Sequence, residues 1–230
     1  MKTIGIIGGI SYHSTAEYYK LINVFTHQES SGKHYAKVIL YSVNYTEFKT
    51  LQDQNNWSAI GDMLGNIAVK LEQAGAECLV LACNAAHLVA DAIRSKIKLP
   101  FLHIAEVAAK EIKAQGISKI GILGTRFVMQ NPIYTEEFKN HNLSVVVPKQ
   151  TDINFIHNSI LSELSKGKLS AASKNKWCEI IEALAQDGAE AVLFACTEIG
   201  MFISKNDTHL SVFDTTLMHT KAAVKYAFNE

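Results

Sequence analysis

The sequence lacks the features that mark membrane proteins and nucleic-acid-binding proteins. No apolar run reaches the roughly 18 residues that a membrane-spanning helix needs. The 22 basic residues are balanced by 22 acidic ones, whereas a protein that neutralises nucleic-acid phosphates normally carries a basic excess. The first residues show no apolar secretory segment with a cleavage site. We therefore expect a cytoplasmic protein whose partners include neither a membrane nor a nucleic acid.

Cysteine is scarce, and its spacing is not that of a structural zinc site. The four cysteines are Cys78, Cys83, Cys178 and Cys196, and no two of them form a C-x-x-C pair, so a zinc site is not predicted. In a cytoplasm they should be reduced thiols, which argues against a disulfide framework. Each one taken alone is expected to be a small buried hydrophobic residue.

No linker rich in proline, glycine or serine interrupts the chain, and short apolar runs alternate with segments of helical spacing. The pattern predicts strands at Thr3–Ile7, Val38–Val43, Cys78–Ala82, Phe101–His103, Lys119–Leu123, Leu143–Val147, Ala191–Ala195 and Ser211–Phe213. It predicts helices at Ala16–Phe25, Trp57–Ala74, Ile104–Ala114, Ile153–Leu164, Trp177–Ala185 and Thr215–Phe228. Ser14 and Glu17 have the spacing of a capping box at the start of the first helix. Alternating strands and helices indicate an α/β fold with parallel sheets covered on both faces.

An internal repeat divides this pattern into two halves. The stretches "LEQAGAECLVLACN" and "LAQDGAEAVLFACT" are identical at 7 of 14 positions and lie 113 residues apart. A similar offset relates "TIGIIGG" to "KIGILGT" and "LPFLHI" to "LSVFDT". We predict two pseudo-symmetric α/β halves, each with a mostly parallel sheet flanked by helices. The first comprises residues 1–98 with a returning C-terminal helix at 215–230, and the second comprises residues 99–214.

The repeat places Cys83 and Cys196 at equivalent positions. Each follows a predicted buried strand and precedes a predicted helix start. Ligands of parallel α/β sheets bind at the carboxyl ends of the strands, so we expect both thiols to line one cleft between the halves. A helix N-terminus would favour the thiolate. The next residues, Asn84 and Thr197, offer short polar side chains and backbone N–H groups to an anion.

Duplication of an ordinary core cysteine is the competing explanation for this pair. Against it, Cys78 has Ala191 as its equivalent in the second half, so core cysteines have not been kept in both halves. We therefore interpret Cys78 and Cys178 as core or incidental residues, and Cys83 and Cys196 as functional ones.

Two opposed thiols suit the inversion of a stereocentre. One thiolate removes a proton from a carbon atom, and the opposed thiol delivers a proton to the other face of that carbon. The α-proton of an amino acid is a very weak acid, so such a site must also stabilise the developing negative charge.

Over essentially its full length, the chain resembles the PLP-independent aspartate/glutamate racemase family. The matching motifs are "MKTIGIIGGIS", "AGAECLVLACNAAH", "LPFLHIAE", "LGTRFVMQ" and "GAEAVLFACTEIG". The resemblance implies two Rossmann-like halves with the active site between them, often in a homodimer. It also implies Cys83 and Cys196 as the catalytic pair, with no PLP and no metal.

The resemblance also implies further site residues. Those expected to bind the substrate are Ile10, Ser11, Gln52, Asn84, Ala85, Thr125 and Thr197. Candidates for the distal carboxylate of an acidic substrate are Lys49, Lys166 and Lys168. Two residues near the cysteines, His87 and Glu198, are candidates for shifting the pKa of the thiols. For His87 a purely structural role in the helix is an equal alternative.

The chain departs from the family at positions 85 and 12–13. Ala85 replaces the threonine of the usual "CNTxH" pattern and removes a hydroxyl expected near the substrate carboxylate, while Tyr12 and His13 replace an indole and an acid. We predict a racemase of aspartate first and glutamate second. The alternatives are a broad-specificity amino-acid racemase and a catalytically weak protein of the same fold that binds an amino acid or a dicarboxylate.

Overall fold

The computed structural model describes residues 1–228. The chain forms two compact units: unit 1 comprises Met1–Ile104 and the C-terminal segment from His219, and unit 2 comprises Ala105–Met218. Of the helices in the part of the chain described, none combines the length and the apolar character needed to cross a membrane.

Unit 1 is built on a parallel sheet of three strands with the order β2-β1-β3. Phe101 pairs with Leu79 in an isolated parallel bridge, which continues the sheet beyond β3. Its first elements are β1 (Ile4–Gly8), α1 (Tyr12–Glu29), β2 (Val38–Ser42), α2 (Tyr45–Asp53), α3 (Trp57–Gln73), β3 (Cys78–Leu81), a 3-10 turn (Ala85–Val89) and α4 (Ala90–Arg94).

Unit 2 has a parallel sheet of four strands with the order β5-β4-β6-β7. The remaining elements are α5 (Ile104–Ala114), β4 (Lys119–Gly124), α6 (Arg126–Gln130), α7 (Thr135–Asn140), β5 (Ser144–Val146), α8 (Gln150–Ser162), α9 (Ala171–Gln186), β6 (Ala191–Ala195), β7 (Ser211–Asp214) and α10 (Thr215–Phe228), with 3-10 turns at Leu164–Lys166, Ile199–Met201 and Lys205–Asp207. If the Phe101 bridge is counted as a fourth strand position of unit 1, the strands of both sheets have the same order, which is second, first, third and fourth in each unit. The predicted α/β class with two parallel sheets is confirmed.

Both faces of the first sheet are buried, as expected of parallel strands. Alternate residues of β1 and β3 enter different hydrophobic clusters because successive side chains of a strand point to opposite faces. Ile7 and Leu79 pack with Ile60 and Leu64 of α3 on one face. The other face packs against α1 and α10, with the core residues Ile4, Ile6, Tyr18, Ile22, Val80, Ala223 and Val224.

Several elements differ from the sequence prediction. Helix α1 begins at Tyr12, and its N-cap is Ser11, whose hydroxyl accepts a hydrogen bond from the Ser14 backbone N–H. The predicted capping box of Ser14 and Glu17 is therefore wrong. Helices α2, α4, α6 and α7 were not predicted, since three of them have only five or six residues and show little periodicity. The segment Leu99–His103 lies in unit 1, whereas the predicted boundary assigns it to the second half.

A buried histidine of the final helix adds hydrogen bonds to the apolar packing of that helix in unit 1. His219 is fully buried, and its Nε2 donates to the Leu102 carbonyl at 2.7 Å. A carbonyl can only accept, so the neutral ring carries its proton on Nε2, and Nδ1 accepts from the Tyr18 hydroxyl at 2.8 Å. Both ring nitrogens are thus satisfied in the neutral form. Burial lowers the pKa of His219 to about 4, and the nearby His103 adds to the decrease.

This histidine should make unfolding dependent on pH. The ordinary pKa of a histidine is 6.5, and the folded value is about 4, so the unfolded chain binds the proton more readily in that window. The contribution to stability is fully present above pH 6.5 and is lost as the pH falls through 4. The loss amounts to about 3 kcal/mol for a shift of this size.

We therefore expect His219→Gln, which keeps an amide donor but does not titrate, to have a shallower dependence of unfolding free energy on pH. Urea denaturation at a series of pH values from 4 to 7 measures this slope. His34→Gln alters an exposed histidine and should leave the slope unchanged. An unaltered slope in His219→Gln would show that its ring does not carry the predicted proton linkage.

Candidate active site

The two predicted cysteines lie at the carboxyl ends of strands, one in each unit. In unit 1, Ile7 of β1 is level with Leu81 of β3, so two residues further on Gly9 stands beside Cys83. In unit 2, Gly124 of β4 is level with Ala195 of β6, so Thr125 stands beside Cys196. We name the first half-site Cys83, Asn84, Ala85 and the Gly9–Ser11 loop, and the second half-site Thr125, Cys196, Thr197 and Glu198.

In the first half-site, Cys83, Asn84 and Ala85 are all half-buried. Both Cys83 and the other predicted cysteine, Cys196, are therefore accessible in part, in contrast to Cys78. Burial raises the pKa of the Cys78 thiol to about 12, and the Glu77 carboxylate adds to the increase. The interpretation of Cys78 as a core residue is confirmed, because its side chain is fully buried.

The Gly9–Ser11 loop is shaped by a close approach of backbones. Gly9 has φ +88°, and a Cβ there would collide with the backbone of Val43. Its N–H donates to the Thr15 hydroxyl at 2.8 Å. Only glycine combines this left-handed conformation with so little space. Of the predicted substrate-binding residues here, Ile10 turns its side chain into the core, and the Ser11 hydroxyl caps α1.

In the second half-site, a carboxylate lies against the thiol. The Cys196 thiol donates to Glu198 Oε2 at 3.0 Å, and the Thr197 hydroxyl donates to the same oxygen at 2.8 Å. All three side chains are half-buried. An ionised carboxylate that accepts from a thiol favours the protonated thiol, because a thiolate at this distance would be repelled. The structure therefore places Glu198, predicted only as a tuning residue, in direct contact with the cysteine.

The turn after Cys196 is held by the start of α10. Asp214 accepts hydrogen bonds from the N–H groups of Thr216 and Leu217, and its other carboxylate oxygen lies where a Cβ of residue 200 would be. A side chain at Gly200, the last residue of the "CTEIG" motif, would therefore displace the Asp214 carboxylate.

The helix start expected after each cysteine is a 3-10 turn in both units, not the first turn of an α-helix. Cys83 and Asn84 are followed by a 3-10 turn of five residues, Ala85–Val89, and Cys196 is followed by one of three, Ile199–Met201. Such short turns sum few peptide dipoles. At Cys196 the environment of the thiol therefore depends on individual hydrogen bonds. After Cys83 the 3-10 turn runs directly into α4.

The remaining predicted residues lie in different elements. Gln52 is half-buried on α2, and Lys49 on the same helix forms an ion pair with Asp53. Lys166 and Lys168 are exposed near the 3-10 turn after α8. Within residues 1–228, no group of three or more histidine, cysteine, aspartate or glutamate side chains has the geometry to hold a metal ion.

Two features were missed by the sequence analysis. Arg126 follows Thr125 in the chain, is exposed, and forms no ion pair with any residue from 1 to 228. It is one of only two arginines, which could have drawn attention to it. His87 adjoins His103 and His219, which are distant in sequence, and this contact has no signal in the sequence.

The chain is similar to several known proteins. The chain matches the family model described as Asp/Glu/Hydantoin racemase over residues 7–223. It is 40% identical to a Yersinia pestis protein of known structure provisionally described as an Asp/Glu racemase, with both chains covered in full and a TM-score of 0.95. It is 32% identical to an aspartate racemase homologue from Pyrococcus horikoshii OT3, again with full coverage of both and a TM-score of 0.90. It is also 26% identical over 157 residues to the broad specificity amino-acid racemase RacX of Bacillus subtilis (strain 168), covering 68% of this chain and 67% of that protein.

The contact between Glu198 and Cys196 yields a direct prediction. Glu198→Gln removes the negative charge that favours the protonated thiol. We expect iodoacetamide to alkylate Cys196 faster in this variant at neutral pH, as followed by mass spectrometry of the cysteine peptides. Cys83 in the same sample is the internal control and should react at its wild-type rate. A slower or unchanged reaction of Cys196 would contradict this account of the contact.

Proposed function

Because the chain belongs to the Asp/Glu/Hydantoin racemase family, we propose that it is an amino-acid racemase that interconverts L- and D-aspartate, and glutamate less readily, without a cofactor. The resemblance drawn from the sequence motifs is confirmed at the level of the family. The observation that carries the proposal is the equivalence of Cys83 and Cys196, each half-exposed at the carboxyl end of a strand in its own unit.

The proposed reaction uses the two cysteines as acid and base. The Cys83 thiolate takes the α-proton of the substrate, and the electron pair of the broken C–H bond delocalises into the carboxylate. The Cys196 thiol then gives its proton to the opposite face of the α-carbon. The reverse reaction exchanges the roles. This mechanism requires both sulfur atoms to reach the same α-carbon.

Glu198 supports this assignment of roles. Its carboxylate accepts from the Cys196 thiol at 3.0 Å, so it favours a protonated Cys196 when the site is at rest. Cys83 is then the cysteine that starts as the base. The negative charge that develops on the substrate carboxylate needs donors that are already oriented. Asn84 and Thr197, next to the two sulfurs, are our candidates for that part.

An acidic substrate also needs a cation for its second carboxylate. Arg126 is suited to it, since it lies one residue beyond Thr125, at the end of β4 next to the strand that carries Cys196. A guanidinium binds a carboxylate through two parallel hydrogen bonds. Burial lowers the pKa of His157, and the nearby charge of Arg126 adds to the decrease.

Broad specificity is the second candidate function, favoured by Ala85. The methyl side chain of Ala85 offers no hydroxyl where the family pattern has threonine, and a site with fewer polar contacts discriminates less between substrates. The similarity to RacX agrees with this candidate. A binding protein with weak turnover is the third outcome that the experiments below separate.

The decisive experiment is solvent exchange at the α-carbon. Purified protein in D2O is given L- or D-aspartate without added PLP, and deuterium incorporation and enantiomer ratio are followed by mass spectrometry and chiral chromatography. A panel of other L-amino acids ranks the substrates. Racemisation of neutral amino acids at rates equal to aspartate would favour broad specificity. If no deuterium entered any amino acid, the racemase proposal would be wrong.

We expect Cys83→Ser and Cys196→Ser each to lower racemisation by about 10²- to 10⁴-fold, the usual contribution of a positioned acid or base. Chiral chromatography of both reaction directions measures it. Cys178→Ser is the matched control, since Cys178 is a half-buried free thiol on α9, and it should keep the wild-type rate. Near-normal rates in either of the first two variants would contradict the two-base assignment.

We expect Arg126→Met to lower kcat/KM for aspartate by about 10- to 100-fold, the value of a charged hydrogen-bonded contact, and to change kcat/KM for alanine little. The measured quantity is the ratio of the two constants. Lys139→Met, which removes an exposed cation from α7 of the same unit, should leave the ratio unchanged. An equal loss for both substrates would show that Arg126 does not select the second carboxylate.

A further inference from the structure

Three buried imidazoles lie behind the first half-site. His87, His103 and His219, which we call the imidazole cluster, are 3%, 7% and 0% exposed. The ring of His87 is 4.8 Å from that of His103 and 5.7 Å from that of His219, both edge to face. All three belong to unit 1.

The hydrogen bonds of His87 define its tautomer. Its Nδ1 lies 2.9 Å from the carbonyl oxygen of Cys83. The carbonyl can only accept, so the proton is on Nδ1 and the neutral ring has a lone pair on Nε2. That Nε2 is buried and has no hydrogen-bond partner within residues 1–228. An unsatisfied buried acceptor is costly, so the ring is poorly explained as a stabilising core residue.

The hydrogen bond between the His87 ring and the Cys83 carbonyl acts on the peptide that carries the thiol. The Cys83 carbonyl belongs to the peptide unit between Cys83 and Asn84, where the extended chain after β3 turns into the 3-10 turn. The His87 backbone N–H also donates to the Asn84 carbonyl at 3.2 Å. Together the two bonds fix the peptide planes on both sides of Asn84, and with them the direction in which the Cys83 side chain leaves the backbone.

The imidazole cluster keeps His87 neutral. Burial holds the pKa of His87 well below its usual range, and His103 and His219 add to the decrease. His219 has both nitrogens satisfied in its neutral form by Leu102 and Tyr18. Phe101 stacks on the other side of the His87 ring, with centroids 5.6 Å apart. The ring is thus fixed in position by packing and kept neutral by burial and by its two histidine neighbours.

We propose that His87 is a positioning residue for Cys83: through its hydrogen bond to the Cys83 carbonyl it sets the orientation of the thiol, and the imidazole cluster holds the ring in place for that bond. His87 does not exchange a proton with the substrate. The proposal deepens the racemase function and rests on it for its catalytic consequence, but the effect on the thiol is measurable without turnover.

The test compares His87→Leu with His87→Asn. Leucine fills apolar space but cannot donate, while the asparagine side-chain amide can place its Nδ2 where Nδ1 of the imidazole lies. In His87→Leu we expect kcat for aspartate to fall on the order of 100-fold with KM little changed, the effect of a displaced catalytic group. In His87→Asn we expect most of that kcat to return. A role in packing alone predicts the opposite order, because asparagine is the smaller and more polar replacement.

Alkylation of the cysteines gives the second readout. With iodoacetamide, Cys83 should react several-fold faster in His87→Leu, because the freed peptide exposes the thiol, and at close to the wild-type rate in His87→Asn. Cys196 reports on unit 2, and the fully buried Cys78 reports on global opening; both should be unchanged. Faster reaction of Cys78 would mean general loosening and would overturn the proposal.

The two proposals fail separately. If the wild type exchanges no α-proton, the racemase function is wrong, and the alkylation pattern still decides whether His87 positions Cys83. If the wild type racemises aspartate but His87→Leu keeps its kcat and its Cys83 reactivity, the positioning role is wrong. Equal defects in His87→Leu and His87→Asn would likewise overturn it, because the donated hydrogen bond would not be the cause.

Discussion

In each unit the first strand pairs in parallel with the third strand, β1 with β3 and β4 with β6, and the position of both cysteines depends on this pairing. The register of β1 with β3 brings Cys83 beside the Gly9–Ser11 loop, and the register of β4 with β6 brings Cys196 beside Thr125. Parallel strands end at the same edge of a sheet, so residues far apart in sequence become neighbours there. A slip of one residue would turn each cysteine to the other face of its sheet.

Much of this arrangement could be predicted from the sequence because it follows from repetition and periodicity. The repeated "ACN" and "ACT" segments identified the equivalent cysteines, and runs of β-branched residues located the strands. Short helices such as α6 and α7 escaped prediction, because five or six residues carry too little periodicity. The segment around Phe101 forms only a single bridge, so its place on the first sheet depends on tertiary pairing, although its alignment with Leu210–Thr215 in the repeat already hinted at it.

The environments of the thiols were the least predictable part. The sequence predicted that a helix N-terminus would favour the thiolate of both cysteines. Each cysteine is instead followed by a 3-10 turn, and the two thiols have different neighbouring groups. Cys196 has a carboxylate at 3.0 Å, whereas an imidazole bonds to the backbone of Cys83. The two halves have a cysteine at the equivalent position but differ in the groups that surround its thiol. Such contacts depend on side-chain packing across distant segments, which a single sequence does not encode in any short pattern.

The position of His219 in the chain has a consequence for biosynthesis. Unit 1 takes its first strands from the beginning of the sequence, but His219, which bonds to Tyr18 and to the Leu102 carbonyl, is translated after every residue of unit 2. Domains usually fold in the order in which the ribosome makes them. Here unit 1 cannot be completed first, because Tyr18 of α1 and the Leu102 carbonyl lack their shared partner His219 until unit 2 has been made. Cys83 is thus synthesised before Cys196. The imidazole cluster next to Cys83 is nevertheless completed only when His219 has been made, after all of unit 2.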